Sequence, residues 1–144
     1  MFVVDTNIFV YAADEDSPFH LPCRERIEEW RMQASPWYGT WGIMYEFLRV
    51  ITHPRVFRHP WTVLEAWDFV EAFLACPSFG LLVPSERHAA VAADVVKKSA
   101  FLRGNILYDA QTAILMREHG IKKIYTRDTD FHRFPFLEPV DPTS

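Results

Sequence analysis

The chain opens on Phe2-Val3-Val4-Asp5, a short run of strand-forming residues that ends in a carboxylate. Such a run predicts a buried strand. In an open α/β sheet, ligands bind in the crevice outside the carboxyl ends of the strands. An aspartate placed there either caps the next helix or holds a metal. Which role applies depends on whether other carboxylates reach the same edge.

Strand and helix patterns alternate from end to end. Ile8–Ala13 predicts a short helix, and Asp14 to Pro18 a loop. Cys23, Ile27, Trp30 and Ala34 recur at intervals of four, three and four, which predicts a helix over residues 20–34 with one apolar face. Trp37–Thr40 suits a second strand, and a helix follows over residues 42–51 with Ile43, Glu46, Phe47 and Val50 on one face. Thr62 and Glu65 match a capping box, so a helix is expected to about Ala75. Its two apolar stripes, Val63/Trp67/Val70/Leu74 and Ala66/Phe69/Phe73, suit an oligomer or partner interface, or two neighbours within the chain. Leu81–Val83 is the third strand candidate, and Ser85 a candidate N-cap for a helix to about Ser99. A further helix from about Ile106 carries Asp109 and ends at Gly120. Ile124–Thr126 suits a fourth strand and Leu137–Val140 an edge strand. The expected fold class is α/β, one domain over residues 1–144, with a mostly parallel central sheet and helices on both faces.

Composition narrows the function classes. No apolar stretch reaches ~18 residues, so no membrane span is expected, nor is a signal peptide; a cytoplasmic place follows as the expectation. Cys23 and Cys76 are too few for a disulfide scaffold and are expected to be buried thiols. The formal charge of -4 argues against holding nucleic acid by bulk electrostatics alone, yet leaves an enzyme acting on nucleic acid open. Neither cysteine is in a Cys-x-x-Cys pair and the histidines lack zinc spacing. There is no glycine-rich phosphate loop and no Gly-x-Ser-x-Gly elbow.

Carboxylates are what the pattern does bring together. Asp5 follows the first strand, and Asp128 and Asp130 follow the fourth, so a parallel sheet places them at one edge. Glu46 and Asp109 are expected early in helices that begin near that edge. Gathering four or five carboxylates unpaired costs several kcal/mol. A hard divalent cation, Mg²⁺ or Mn²⁺, offsets that cost with oxygen ligands, and such an ion suits phosphodiester hydrolysis. Taken singly, Asp5 could be a cap, Asp109 a helix N-terminal acid, Asp128 and Asp130 a turn, and Glu46 a partner of Arg49. Thr126 and Asn7 are candidates for orienting a carboxylate, with local capping as the alternative.

Four segments in this order resemble the PIN domain, and within it the VapC-type toxins of toxin–antitoxin pairs. They are Val4-Asp5-Thr6-Asn7 with Phe9-Val10-Tyr11-Ala12; Tyr45-Glu46-Phe47-Leu48-Arg49 leading to Thr52-His53-Pro54-Arg55-Val56-Phe57; Asp109-Ala110; and Thr126-Arg127-Asp128-Thr129-Asp130-Phe131. The resemblance implies a metal-dependent endoribonuclease, Mg²⁺ or Mn²⁺ as cofactor, RNA as substrate, a homodimer and a cognate antitoxin. Carried over by residue, it implies that Asp5, Glu46, Asp109 and Asp128 form an acidic quartet, with Asp130 as an additional acid and Asn7 and Thr126 as polar helpers. One departure is Ile114-Leu115-Met116, where many relatives carry small residues; different packing behind Asp109 is implied.

On this reading, Asp5, Asp109 and Asp128 position the metal, and Glu46 orients or deprotonates water or binds a second ion. Arg49, Arg55, Arg58, Arg103 and Arg127 are candidate phosphate contacts. Trp37, Tyr38 and Trp61 are candidates for stacking bases, with core packing as the alternative. Two rival functions remain: a structure-specific DNA nuclease, and a non-catalytic protein whose acids hold a structural ion or a basic peptide.

Overall fold

Val3 and Val4 form strand β1, and both are fully buried. Consecutive strand residues point to opposite faces, so both faces of the sheet are covered. The computed structural model describes residues 1–144. The remaining strands are β2 (Trp37–Gly39), β3 (Phe79–Leu81), β4 (Lys123–Tyr125) and β5 (Glu138–Val140). Their order is β3-β2-β1-β4-β5 and every pairing is parallel. Val3 pairs with Tyr38 on one side and Ile124 on the other, with Val4 opposite Tyr125. Pro139 sits in the edge strand, where a missing amide donor is tolerated.

The strand order reverses direction at β1. From β1 the chain steps outward through β2 to β3, then returns across β1 to β4. The crevice between β1 and β4 is therefore the topological switch point, the usual ligand position of a doubly wound sheet.

The helices are α1 (Thr6–Ala13), α2 (His20–Met32), α3 (Trp41–Ile51), α4 (Val63–Leu74), α5 (His88–Lys97) and α6 (Ile106–Glu118). The Thr62–Glu65 capping box forms in both directions. Gly120 adopts φ +71° after α6; Ile121 N–H donates to Met116 O and Gly120 N–H to Arg117 O, the paired bonds of a Schellman motif.

Several boundaries differ from the sequence expectation: α2 ends at Met32 rather than at residue 34, and β4 runs Lys123–Tyr125 rather than Ile124–Thr126, which leaves Thr126 just past the strand. β3 lies two residues earlier than Leu81–Val83, with Gly80 opposite Tyr38 in the pairing and a Cβ at Gly80 placed 3.2 Å from the Tyr38 ring. Helix α5 starts at His88 rather than directly behind Ser85: the Ser85 hydroxyl accepts from Arg87 N–H in a turn, and Ser85 N–H itself donates to Glu118 Oε2. After β4, the acidic stretch closes into a 3-10 turn, Thr129–Arg133, capped by the Asp128 side chain.

The core is aromatic where the sheet is thickest. Trp37 is fully buried, with ring centroids of Phe79 at 4.7 Å, Trp30 at 5.7 Å, Phe73 at 5.9 Å and Phe2 and Phe9 at 6.3 Å. Its indole donates to Ser78 Oγ at 3.0 Å. This corrects Trp37 as a base-stacking candidate: a central-strand position removes it from any surface. Trp61 is half-buried against Phe47 and Phe69, and Tyr38 is half-buried beside Gly80. Both cysteines are free thiols, but only Cys23 is buried; Cys76 is half-exposed, contrary to expectation. Ile114, Leu115 and Met116 are all buried behind the Asp109 end of α6. Helix α4 buries Ala66, Val70 and Phe73 within the chain and leaves Val63, Leu64 and Leu74 exposed.

Candidate active site

β1 ends where α1 begins, and Asp5 serves both. Its backbone N–H donates to Tyr125 O at 3.0 Å, extending the β1–β4 ladder by one bond. Its Oδ1 accepts from Thr6 N–H at 2.8 Å, capping α1. Its Oδ2 accepts from the Thr126 hydroxyl at 2.8 Å and from Asn7 Nδ2 at 3.3 Å.

Thr126 follows β4 and ties both sides of the switch point together. Its hydroxyl donates to Asp5 and accepts from Asn7 Nδ2 at 3.2 Å and Asp128 N–H at 2.9 Å. One donor and two acceptor lone pairs are all used, so the hydroxyl is fixed in orientation. Asn7 closes the ring by accepting from Arg127 N–H at 3.3 Å. Asp128 Oδ1 in turn accepts from Asp130 N–H at 2.9 Å, which sets the acidic turn against the sheet edge.

Two helices bring the other acids. Glu46 is the sixth residue of α3, deeper into its helix than expected, and reaches the site from the second turn. Its Oε2 accepts from the Thr6 hydroxyl at 3.1 Å; Oε1 lies 3.9 Å from Arg49 Nη2. Asp109 comes from the first turns of α6. Carboxylate oxygens of Asp109, Asp128 and Asp130 lie within 4.8 Å of one another. Asp5, Glu46, Asp109, Asp128 and Asp130 together line one cavity of about 710 Å³, whose walls are α3 from Gly42 to Arg49 and the start of α6 through Thr112. At Gly42 the two walls approach closely, and a Cβ there would meet the Gln111 amide at 3.5 Å.

The electrostatics are those of negative charge without a counter-ion. Burial pushes the Asp5 carboxyl up to about 6, against the pull of the Thr126 and Thr6 hydrogen bonds, with Glu46 and Asp128 adding to the rise. Burial also raises Asp109 to about 7, and Asp5, Asp128, Glu46 and Asp130 push it the same way. No lysine or arginine forms an ion pair with Asp5, Asp109, Asp128 or Asp130. The donor set is all oxygen and the charge is uncompensated, which fits a hard divalent cation.

Stability should therefore fall with pH in the metal-free protein. Unfolded aspartate titrates near ~3.9. Between that value and the folded values of about 6 and about 7, the folded state holds more protons than the unfolded one. Stability is full below the unfolded pKa and is lost as pH rises through the folded values. Glu118 acts in a separate, lower window: although its burial opposes ionisation, bonds from Ser85 and His88 hold it down to about 2, so it is ionised throughout the neutral range. Water screens the half-exposed Asp109, so we expect a loss on the order of 2 kcal/mol between about pH 5 and 8, or roughly 5–8 °C in Tm. Saturating Mg²⁺ should abolish that slope. A metal-free Tm that rises over this interval would contradict the uncompensated cluster.

Of the basic candidates, Arg49 lies on the cavity wall. Arg127 pairs with Asp141 at 3.3 Å and lies 3.5 Å above the Phe19 ring. Arg55, Arg58 and Arg103 are exposed and line neither this cavity nor the adjoining one around Asn7 and Tyr11. Sequence reasoning missed Thr6, Tyr108 and Gln111. Tyr108 had a readable signal, since it directly precedes Asp109 as Tyr45 precedes Glu46.

Comparison with known proteins agrees with this architecture. The chain is 32% identical over 143 residues to ribonuclease VapC48 of Mycobacterium tuberculosis, covering 97% of this chain and 96% of that one. Two solved structures share the fold at low identity. The Mycobacterium tuberculosis VapC20, described as a Sarcin-Ricin loop cleaving toxin, superposes with TM-score 0.68 at 16% identity, covering 96% of this chain and 98% of that one. VapBC2 from Rickettsia felis, solved bound to a DNA fragment from its promoter, gives 0.69 at 14%, covering 96% of each. The PIN domain profile matches residues 2–137, and with the switch-point carboxylates in place this chain belongs to the PIN domain family.

Proposed function

We propose that this protein is a metal-dependent endoribonuclease, the toxin of a toxin–antitoxin pair. One observation carries the reading: five carboxylates from four separate segments line a single solvent-open cavity at the switch point, with burial and mutual repulsion forcing two of them upward in pKa. The full-length similarity to proteins named VapC ribonucleases supports RNA as the substrate and a cognate antitoxin as the partner. A cytoplasmic place and a homodimer accompany the reading. No helix is long and apolar enough to cross a membrane, and the exposed Val63, Leu64 and Leu74 of α4 offer an apolar face to a second copy.

Asp5, Asp109 and Asp128 would hold Mg²⁺ or Mn²⁺, with Glu46 and Asp130 as further ligands, and the ion supplies Lewis-acid charge beside the scissile phosphate. The chain's own residues do the rest. Thr126 and Asn7 hold Asp5 Oδ2 in place; their bonds to the same oxygen, at 2.8 and 3.3 Å, support this role. Thr6 fixes Glu46 Oε2, leaving Oε1 to take the proton of the attacking water. The water oxygen bonds to phosphorus as the bond to the leaving sugar oxygen breaks, and that oxygen is protonated from solvent. Arg49, loosely held by Glu46 at 3.9 Å, is free to engage a phosphate oxygen.

The test is cleavage of a panel of structured cellular RNAs by antitoxin-free protein, with and without Mg²⁺ or Mn²⁺, beside a single-stranded DNA control. Discrete cuts in RNA that require the ion are expected. Cuts in DNA alone would replace the reading with the DNA-nuclease one. No cuts, together with an ion that does not exchange, would favour the non-catalytic binding protein.

A further inference from the structure

The acidic cavity explains how a phosphodiester is attacked but not how RNA is retained by a chain of formal charge -4. Bulk attraction is unavailable, and a pocket of carboxylates repels the backbone until an ion is in place. The neutral part of a nucleotide is its base, and bases are held by aromatic faces.

The chain has five tyrosines. Tyr11, Tyr38 and Tyr125 are wholly or partly buried. The two exposed ones, Tyr45 at 64% and Tyr108 at 70%, both line the acidic cavity. They stand on opposite walls, Tyr45 on α3 and Tyr108 on α6. Each directly precedes a cavity carboxylate, Glu46 or Asp109. Neighbouring helix positions differ by ~100°, so each ring stands at the rim beside its acid. Neither hydroxyl has a hydrogen-bond partner within the chain, and nothing in the fold uses these rings, except that Trp41 lies against Tyr45 with centroids 5.9 Å apart. Trp41 itself is partly exposed. An exposed ring alone needs no explanation, but two that face one cavity from opposite walls make a shared contact surface.

We propose that Tyr45 and Tyr108 are the stacking platforms that hold the two bases flanking the cleaved phosphate of single-stranded RNA, one on each wall of the cavity. This rests on the nuclease reading and says how its substrate is held. Trp41 braces the Tyr45 ring. Gln111, whose amide overhangs Gly42 between the walls, is exposed and makes no hydrogen bond within the chain, so it is available to the edge of a stacked base. Continuity with the carboxylates favours RNA as the occupant over a second protein chain.

The probe is a pool of random ~12-nucleotide RNAs carrying one central 2-aminopurine, whose fluorescence falls when the base stacks. It is titrated with protein in Ca²⁺, while cleavage of the same pool is followed in Mg²⁺. Wild type and the Tyr45→Phe/Tyr108→Phe variant are expected to quench it. Tyr45→Ala/Tyr108→Ala is expected to need at least ~10-fold more protein. Both side chains are exposed, so the variants fold, and circular dichroism checks this. Equal quenching by the Ala variant, or none by wild type, overturns the proposal. Cleavage without quenching overturns it and leaves the nuclease reading standing; quenching without cleavage overturns the nuclease reading and, with it, the claim that the stacked bases flank a cleaved phosphate. If light scattering shows that the Ala variant only loses self-association while quenching is intact, the tyrosines are a protein interface and the proposal fails.

Discussion

Asp5→Asn should abolish RNA cleavage while leaving a folded protein. Asparagine is a good N-cap, so the bond from Thr6 N–H survives and α1 is retained. At the other oxygen the outcome is different. An amide nitrogen there faces Asn7 Nδ2, another donor, and meets a Thr126 hydroxyl that is now pointing its proton the wrong way. The negative charge is lost at the same time. An active-site ion contributes several kcal/mol to transition-state charge stabilisation, so losing it reduces the rate by on the order of 10³-fold. Folding is preserved because the charge removed was unfavourable, being held up to about 6 by burial. The measurement is the single-turnover rate on whichever RNA wild type cuts, beside a melting curve. A variant within tenfold of wild type would sink the assignment of Asp5 as a ligand. The same rate loss with a collapsed melting curve would make Asp5 a structural cap only.

The second large effect is on folding. Trp37→Ala should cost about 3–5 kcal/mol, the usual range for emptying a buried tryptophan site. Five aromatic neighbours lose their shared partner, and Ser78 Oγ loses its indole donor while still bonded to Trp30 O. A central strand cannot collapse into the space, because its register is set from both sides by β1 and β3. Against a typical total of ~5–15 kcal/mol, this variant is marginal or unfolded at 37 °C. Denaturant unfolding checks it. A loss under ~1.5 kcal/mol would mean that the aromatic cluster repacks freely, contrary to its interlocked geometry.

The sequence was most legible where local chemistry decides. The strand-ending Asp5, the Thr62–Glu65 box and the Gly120 stop act within a few residues, and each is found as expected. Alternation of strand and helix was enough for the parallel sheet, because right-handed crossovers leave few alternatives. The acids were legible as a set for the same reason: parallel strands share an edge. What failed was decided across long separations. Ser85 looks like a cap, but its amide is claimed by Glu118, 33 residues away. Trp37 looks available to a base until β1 and β3 enclose it. The bond from Thr6 to Glu46 spans 40 residues and leaves no local trace in the sequence. Tyr108 was overlooked although it precedes Asp109 as Tyr45 precedes Glu46, because that parallel says which acid the ring adjoins and not that the ring is exposed beside a cavity.

Helix α6 is fastened unequally. At its C-terminal end the Schellman turn at Gly120 closes it, and its last residue, buried Glu118, accepts from Ser85 N–H and bonds His88 at 2.6 Å. At its N-terminal end Asn105 provides no side-chain cap, and the first turn is held by backbone bonds, Leu107 N–H to Gly104 O and Tyr108 N–H to Asn105 O, both at 3.1 Å. The helix is a cantilever, rooted away from the site and fastened by fewer side-chain bonds at the end that carries Asp109. Amide hydrogen exchange should accordingly slow from Ile106 toward Glu118, and the fast end should slow when Mg²⁺ is added; uniform exchange along α6 would refute the asymmetry. Of the four segments that supply the carboxylates, α6 is then the one expected to order at its site end when Mg²⁺ is added, so that ion capture would be coupled to the fastening of a helix end.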